Sequence, residues 1–336
     1  MLTLEELKAA NSESELTDGF DPYLCHVPMP LRRKYYPLGF PLELTTNSPE
    51  VLDAAEESWG VFKPRFDLPP IKLRVGVLES EATECPPALT FRAQRNLLVN
   101  IADNANFCVN DLVQGFSFAW LTTAAVSRRG YLRFHFLEAA ALSHIANRFA
   151  APVHGACVTL AGSGVLLCGD SGAGKSSLAF ACARAGWTYT TDDASFLLNG
   201  RDDRQVVGNC HLFRFRPSAV ALFPEIGGRA LTPRALGKPS IEVPSASLPG
   251  IRAAETSNVD FVVFLSRCDT DIPRLAPFPR DLARRFMAQR LHGMDLLRST
   301  QQASVERLLT AEVLELRYRD LDSAVDRLER LVRERR

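Results

Sequence analysis

Apolar and polar positions alternate from Ile71 to Val77, the mark of a half-buried strand. Further strands are expected over residues 89–93, 96–101, 107–110 and 116–121, with a turn at Asp103–Asn106. Residues 133–150 carry helical spacing, with Leu137, Ala140, Ala141, His144, Ile145 and Phe149 near one face. Short strand patterns then crowd together over 156–161, 165–168, 187–191, 195–198, 205–207, 211–215 and 261–265. One strong helix, after residue 174, interrupts them early, whereas simple strand–helix alternation would show more. Residues 217–252, rich in Pro, Gly, Ala and Ser, read as loops with short elements, and 280–297 and 323–333 as helices. Before residue 71 periodicity is weak and prolines recur. A short helix near 3–10 and an extended lead-in are expected there, with Tyr35, Tyr36, Phe40 and Trp59 packing parts of it on the body. The pattern divides the chain into a loosely structured lead-in (1–70), a strand-plus-helix module (71–150) and a strand-rich domain (151–336).

At 336 residues, 46% apolar and 23% charged, the chain has ordinary globular composition. Its 39 basic residues balance its 39 acidic ones, so a polyanionic partner such as nucleic acid is not expected. The arginine-rich end, Arg327 to Arg336, reads as the solvated face of a helix. No apolar run approaches the ~20 residues of a membrane span, and the acidic N-terminus lacks a signal-peptide core, so the expected location is the cytoplasm. None of the eight cysteines forms a C-x-x-C pair. Cys157, Cys168 and Cys182 fall in apolar stretches and read as small core residues in a reducing compartment.

The stretch that organises the chain is Gly169-Asp170-Ser171-Gly172-Ala173-Gly174-Lys175-Ser176. Glycine, four residues and Gly-Lys-Ser form the P-loop pattern, and it stands where its chemistry requires. The apolar run Gly164 to Cys168 precedes it as a strand, and the alanine-rich run from Ser177 to Ala185 follows as a helix. Glycines let backbone N–H groups approach phosphate oxygens, and the helix N-terminus adds the positive end of its dipole. Lys175 offers a charge to the outer phosphates and Ser176 a hydroxyl to Mg²⁺. Residues 169–177 are therefore the expected nucleotide site.

Polyphosphate binding becomes phosphoryl transfer only with further groups. The β-favouring run Trp187 to Thr191 ends in Asp192-Asp193, and ligands of such sheets bind beyond the carboxyl ends of strands. The pair would lie near the loop if the two strands are neighbours. Adjacent side chains on an extended segment diverge, so the two acids are expected to do different work, one taking a proton and the other holding Mg²⁺. An acidic turn after a strand is the plainer alternative.

From His154 to about Leu198 the sequence resembles the HPr kinase/phosphorylases. The resemblance rests on His154-Gly155, the lead-in from Gly162 to Leu167, the loop from Gly169 to Ser176, Arg184-Ala185-Gly186, and Asp192-Asp193 at a similar interval. A weaker likeness to HPr-kinase-related proteins continues through Leu212 to Pro217 and Glu315 to Leu321. The resemblance implies an α/β architecture with a phosphoenolpyruvate-carboxykinase-like P-loop domain. It implies ATP- and Mg²⁺-dependent transfer to a serine hydroxyl, and oligomeric relatives. By family role Asp192 would be the general base, Asp193 a magnesium-associated acid, and His154 a phosphate-region contact. Three features depart from the family. Ser177 stands where the family has glutamate, a Leu-Glu-Ile-Arg-Gly-like segment is missing, with Arg214 and Arg216 in roughly that region, and residues 1–130 differ from the usual N-terminal domain. HPr as substrate and the reverse reaction therefore do not carry over. The expected function is phosphorylation of a hydroxyl on a protein serine or a serine-like small molecule. A catalytically silent ATP-binding regulator is the alternative from another class.

Overall fold

The computed structural model describes residues 27–232, 239–269, 272–289, 291 and 295–334. It is a mixed α/β structure built on three sheets. The first has seven strands: β1 (Leu31–Tyr35), β2 (Leu42–Thr46), β3 (Ile71–Leu78), β4 (Thr90–Gln94), β5 (Leu97–Ile101), β6 (Phe107–Asp111) and β7 (Phe116–Thr122), in the order β1-β2-β3-β7-β6-β5-β4. β2, β3 and β7 run parallel. A parallel pair needs a crossover, and the helix Pro49–Trp59 supplies the one between β2 and β3. The other expected strands form antiparallel hairpins. Asp103 closes the expected turn by accepting the Ala105 N–H at 2.9 Å.

Residues 31–70 are not a loose lead-in. β1, β2 and the Pro49–Trp59 helix belong to this sheet, and Tyr35, Leu42, Leu44, Val51 and Trp59 are buried in its core. The prolines that obscured the pattern sit at its joints: Pro37 begins a short 3₁₀ turn and Pro49 begins the helix, where a missing N–H costs nothing. The helix near residues 3–10 lies outside the described residues. The helix expected over 133–150 is one end of a helical run over 129–149, which contains two wide turns, Leu132–Leu137 and Ile145–Phe149. Its inner face, with Leu132, Phe136, Ala140 and Ile145, covers the sheet. That core extends past Ala150 to include Phe196, Leu198 and Val207.

The second sheet holds β8 (Ala150–Val153), β9 (Gly155–Leu160), β10 (Ser163–Cys168), β11 (Thr188–Thr191), β12 (Ser195–Leu198), β13 (Gln205–Val207), β17 (Arg252–Ala253), β18 (Thr256–Arg267), β19 (Arg274–Pro277) and β20 (Glu312–Tyr318). Its main path is β17-β11-β9-β10-β18-β13-β12-β8, with β20 paired to both β18 and β19. The small third sheet has β14 (Leu212–Phe215), β15 (Leu231–Thr232) and β16 (Ser240–Pro244).

The Lys175–Arg184 helix is buried on two sides. Leu178, Ala179 and Cys182 meet the sheet and the Leu321–Glu334 helix, while Phe180 and Ala183 meet Tyr189, Phe213, Phe215 and Phe223. Its alanines allow that double approach, and so its hydrophobic pattern is not one-sided. The helix expected over 280–297 is two helices, Arg280–Ala288 and Asp295–Leu308. No helix of the described residues is long and apolar enough to cross a membrane.

Candidate functional site

Three chain segments meet at one edge of the second sheet. β10 ends at Cys168, and the chain turns through Gly169 to Gly174 into the Lys175–Arg184 helix. Gly169, Gly172 and Gly174 all have positive φ. At Gly174 the requirement is doubled: φ is +95°, and a Cβ there would lie 2.6 Å from the Tyr318 hydroxyl. Tyr318, at the end of β20, donates to the Ala173 carbonyl oxygen at 3.0 Å and so fastens the loop from beneath. Tyr318 was named above only as part of a resembling segment. The signal was present, since Leu314, Leu316 and Tyr318 alternate with polar residues as in a strand.

Lys175 lies folded along the loop. Its Nζ donates to the Gly169 carbonyl at 2.8 Å and the Asp170 carbonyl at 3.1 Å, and the residue is 6% exposed. The Ser176 hydroxyl donates to the Asp192 backbone carbonyl at 3.2 Å, which joins the loop to the acid pair. β10 and β11 are not neighbours. β9 lies between them and is antiparallel to both. Hence β10 and β11 point the same way, and the start of β9 falls beside both their carboxyl ends. His154 immediately precedes β9 and sits at that point, with Nδ1 3.5 Å from Asp193 Oδ1.

The two acids part, as expected for consecutive extended residues. The Asp193 side chain is 30% exposed and lines a cavity of about 850 Å³ with Ser171, Lys175, Ser176 and Arg216. Asp192 is 3% exposed. Its Oδ2 accepts the Arg214 backbone N–H at 2.9 Å. The Tyr189 hydroxyl lies 3.1 Å from its Oδ1 and 2.9 Å from the Leu212 carbonyl oxygen, so one proton is shared between two acceptors. Burial and the neighbouring Asp193 push the Asp192 carboxyl up to about 6, against the pull of Arg214. Asp192 lines a second, smaller cavity of about 120 Å³, on the side facing the seven-stranded sheet.

Arg214 and Arg216 separate as well. The Arg216 guanidinium donates to the Ser171 hydroxyl on the loop. The Arg214 side chain is largely buried, with Nε 2.9 Å from Glu242 Oε1 and Nη2 3.4 Å from Glu138 Oε2. Burial disfavours its charge, but Glu138 and Glu242 outweigh burial and hold it as a guanidinium. Burial holds the Glu138 carboxyl above the usual range, against Arg214 and Arg133. Glu138 and Arg267 are site residues that sequence reasoning missed. Glu138 is distant in sequence and carries no motif, and Arg267 enters only because β18 runs beside β10.

Among the described residues the large cavity is lined by the cations Lys175, Arg214, Arg216 and Arg267, and by one carboxylate, that of Asp193. That balance suits an anion, and the volume lies in the range of small-molecule sites. Leu222 and Arg267 also line an adjoining cleft of about 760 Å³. Among the described residues no group of three His, Cys, Asp or Glu side chains could hold a metal unaided. Ser176 and Asp193 nonetheless offer the hard oxygen donors that Mg²⁺ takes when phosphate supplies the remainder. Burial pushes the Cys157 and Cys168 thiols up to about 12, so neither is a nucleophile at neutral pH.

No family model matches this chain, and no curated protein matches it. Among solved structures, the HPr(Ser) kinase/phosphatase from Coxiella burnetii is a weak structural neighbour. Its TM-score is 0.28 at 14% identity, over 55% of this chain and 92% of that one. A distant likeness of that size leaves the chemistry to be argued from the site itself.

Proposed function

We propose that the protein is a Mg²⁺- and ATP-dependent kinase that phosphorylates a hydroxyl group. The observation that carries this reading is the meeting of the 169–176 loop, His154 and the Asp192-Asp193 turn at one sheet edge, linked by the bond from Ser176 to the Asp192 carbonyl. The backbone of residues 169–177 cradles the β- and γ-phosphates, the positive helix end faces them, and Lys175 exchanges its two carbonyl partners for phosphate oxygens. The ion would be held by Ser176 and Asp193, where it neutralises phosphate charge. His154 supports Asp193 and faces the same cavity. The adjoining cleft has room for the nucleoside. Asp192, raised towards neutrality, is the base: each carboxylate oxygen accepts one bond and has a second lone pair for an acceptor hydroxyl.

A second reading, an ATP-binding regulator without transfer activity, draws on two observations. Asp192 is nearly inaccessible, and Ser177 provides no further acid beside the loop. Calorimetric titration with Mg-ATP beside an ADP-release assay over a panel of hydroxyl acceptors separates the readings. Tight binding with acceptor-dependent release supports the kinase. Binding with no release on any acceptor supports the regulator, and no binding removes both.

A further inference from the structure

The two cavities share Asp193 and Arg214 and so adjoin at the Asp192-Asp193 turn. One faces the glycine loop. The other faces residues of the N-terminal sheet and its helices: Leu38, Trp59, Phe62 and Leu142 form an apolar wall opposite Asp192. We propose that this smaller cavity is the acceptor site, and that it takes a small amino alcohol, a primary hydroxyl beside an ammonium on a short apolar body. The proposal rests on the kinase reading of the same turn and adds the substrate class to it.

Three features select that chemistry. Size is the first. About 120 Å³ is smaller than the ~150 Å³ cavity that accommodates benzene, which leaves room for roughly five non-hydrogen atoms. Charge is the second. With Asp193 given to the ion, Glu138 and Asp192 are the carboxylates that line the cavity among the described residues; Glu138 and the nearby Glu242 are matched by Arg133 and Arg214, which leaves Asp192. The surplus is negative, so an ammonium is attracted and a carboxylate repelled. Position is the third. Asp192 is the carboxylate reached from this side, while Asp193 faces the phosphate cavity as well. In the transfer step the acceptor oxygen bonds to the γ-phosphorus of ATP as the bond from that phosphorus to the β,γ-bridging oxygen breaks. ADP leaves with the electron pair, and the hydroxyl proton passes to the Asp192 carboxylate. The turn and helices packed on the N-terminal sheet thereby gain a role: they build the wall that selects the acceptor.

The test uses the full chain saturated with Mg²⁺ and a non-hydrolysable ATP analogue. It is titrated with three probes that carry an ammonium, a methyl or a carboxylate on the same carbon beside a primary hydroxyl: alaninol, 2-methylpropan-1-ol and 3-hydroxy-2-methylpropanoate. Alaninol should bind at least about tenfold more tightly than the hydroxy acid, with the neutral alcohol between them. Leu142→Trp, which fills the cavity, should abolish alaninol binding and leave affinity for the ATP analogue within about twofold. Equal or stronger binding of the hydroxy acid overturns the charge argument. No alaninol binding by a chain that does bind the nucleotide overturns the acceptor site while the kinase reading stands. No nucleotide binding overturns the kinase reading and this proposal with it. Should Leu142→Trp lose the nucleotide too, Phe62→Ala replaces it: widening the wall should weaken alaninol and admit the larger phenylalaninol, and an unchanged preference overturns the assignment.

Discussion

Lys175→Met is the sharpest test of the proposed nucleotide site. The substitution keeps the length and apolar stem of a side chain that is 6% exposed and removes only the ammonium. In the structure that ammonium holds the Gly169 and Asp170 carbonyl oxygens at 2.8 and 3.1 Å. On the proposed function those bonds would be exchanged for phosphate contacts, so without nucleotide the variant loses these two bonds but also the cost of a buried cation. Its stability should change by about 1 kcal/mol or less, the worth of one hydrogen bond. The complex loses a charge-assisted contact worth about 1.5–3 kcal/mol. Affinity for Mg-ATP should therefore fall roughly 10- to 150-fold. Calorimetric titration measures that loss, and thermal melting without nucleotide separates it from misfolding. A mutant that melts like the parent and binds Mg-ATP within about twofold of it refutes the assignment of this loop.

Other perturbations follow from the same geometry. Asp192→Asn should leave Mg-ATP binding intact and lower transfer by about 10²–10⁴-fold, whereas Asp193→Asn should raise the magnesium requirement in a titration; identical profiles for the two would end the division of labour. Gly174→Ala forces a side chain into left-handed backbone against Tyr318 and should cost at least about 1–2 kcal/mol in a denaturant melt; adding Tyr318→Phe should relieve the contact but not the strain, so full recovery would place the cost elsewhere. Burial, aided by Arg148, pushes the His144 imidazole down to about 4, below its unfolded value near 6.5. The unfolded chain therefore takes up the proton first, and about 3 kcal/mol present above pH ~6.5 should be lost as pH falls towards ~4. A His144→Gln chain whose stability falls as steeply over that window would assign the loss to other groups.

The strand–loop–helix at Gly169 to Lys175 was legible because it is local. Glycine, lysine and a following alanine-rich run suffice to set the turn and the helix start, and the structure has both. Most strands of the first sheet were legible for the same reason, since alternation shows wherever one face is buried. The first two strands escaped because β1 does not alternate and β2 is a short run between proline-containing joints, and only pairing of β2 with β3 reveals that they belong to the sheet. Asp192 and Asp193 could be picked out, and their divergence follows from extended backbone. Which of them meets the large cavity could not be read, because that depends on β9 passing between β10 and β11 and on Arg214 and Tyr189 closing over Asp192. Burial and pKa belong to the assembled surroundings and not to a dipeptide. Glu138, Trp59 and Tyr318 are farther still from the motif in sequence, and no local pattern marks them as its neighbours. They reach the site only because two helices of the N-terminal module pack near the Asp192-Asp193 turn and β20 runs beside β18. The local sequence determined a phosphate-shaped loop and two acids, and long-range packing decided what each of them faces.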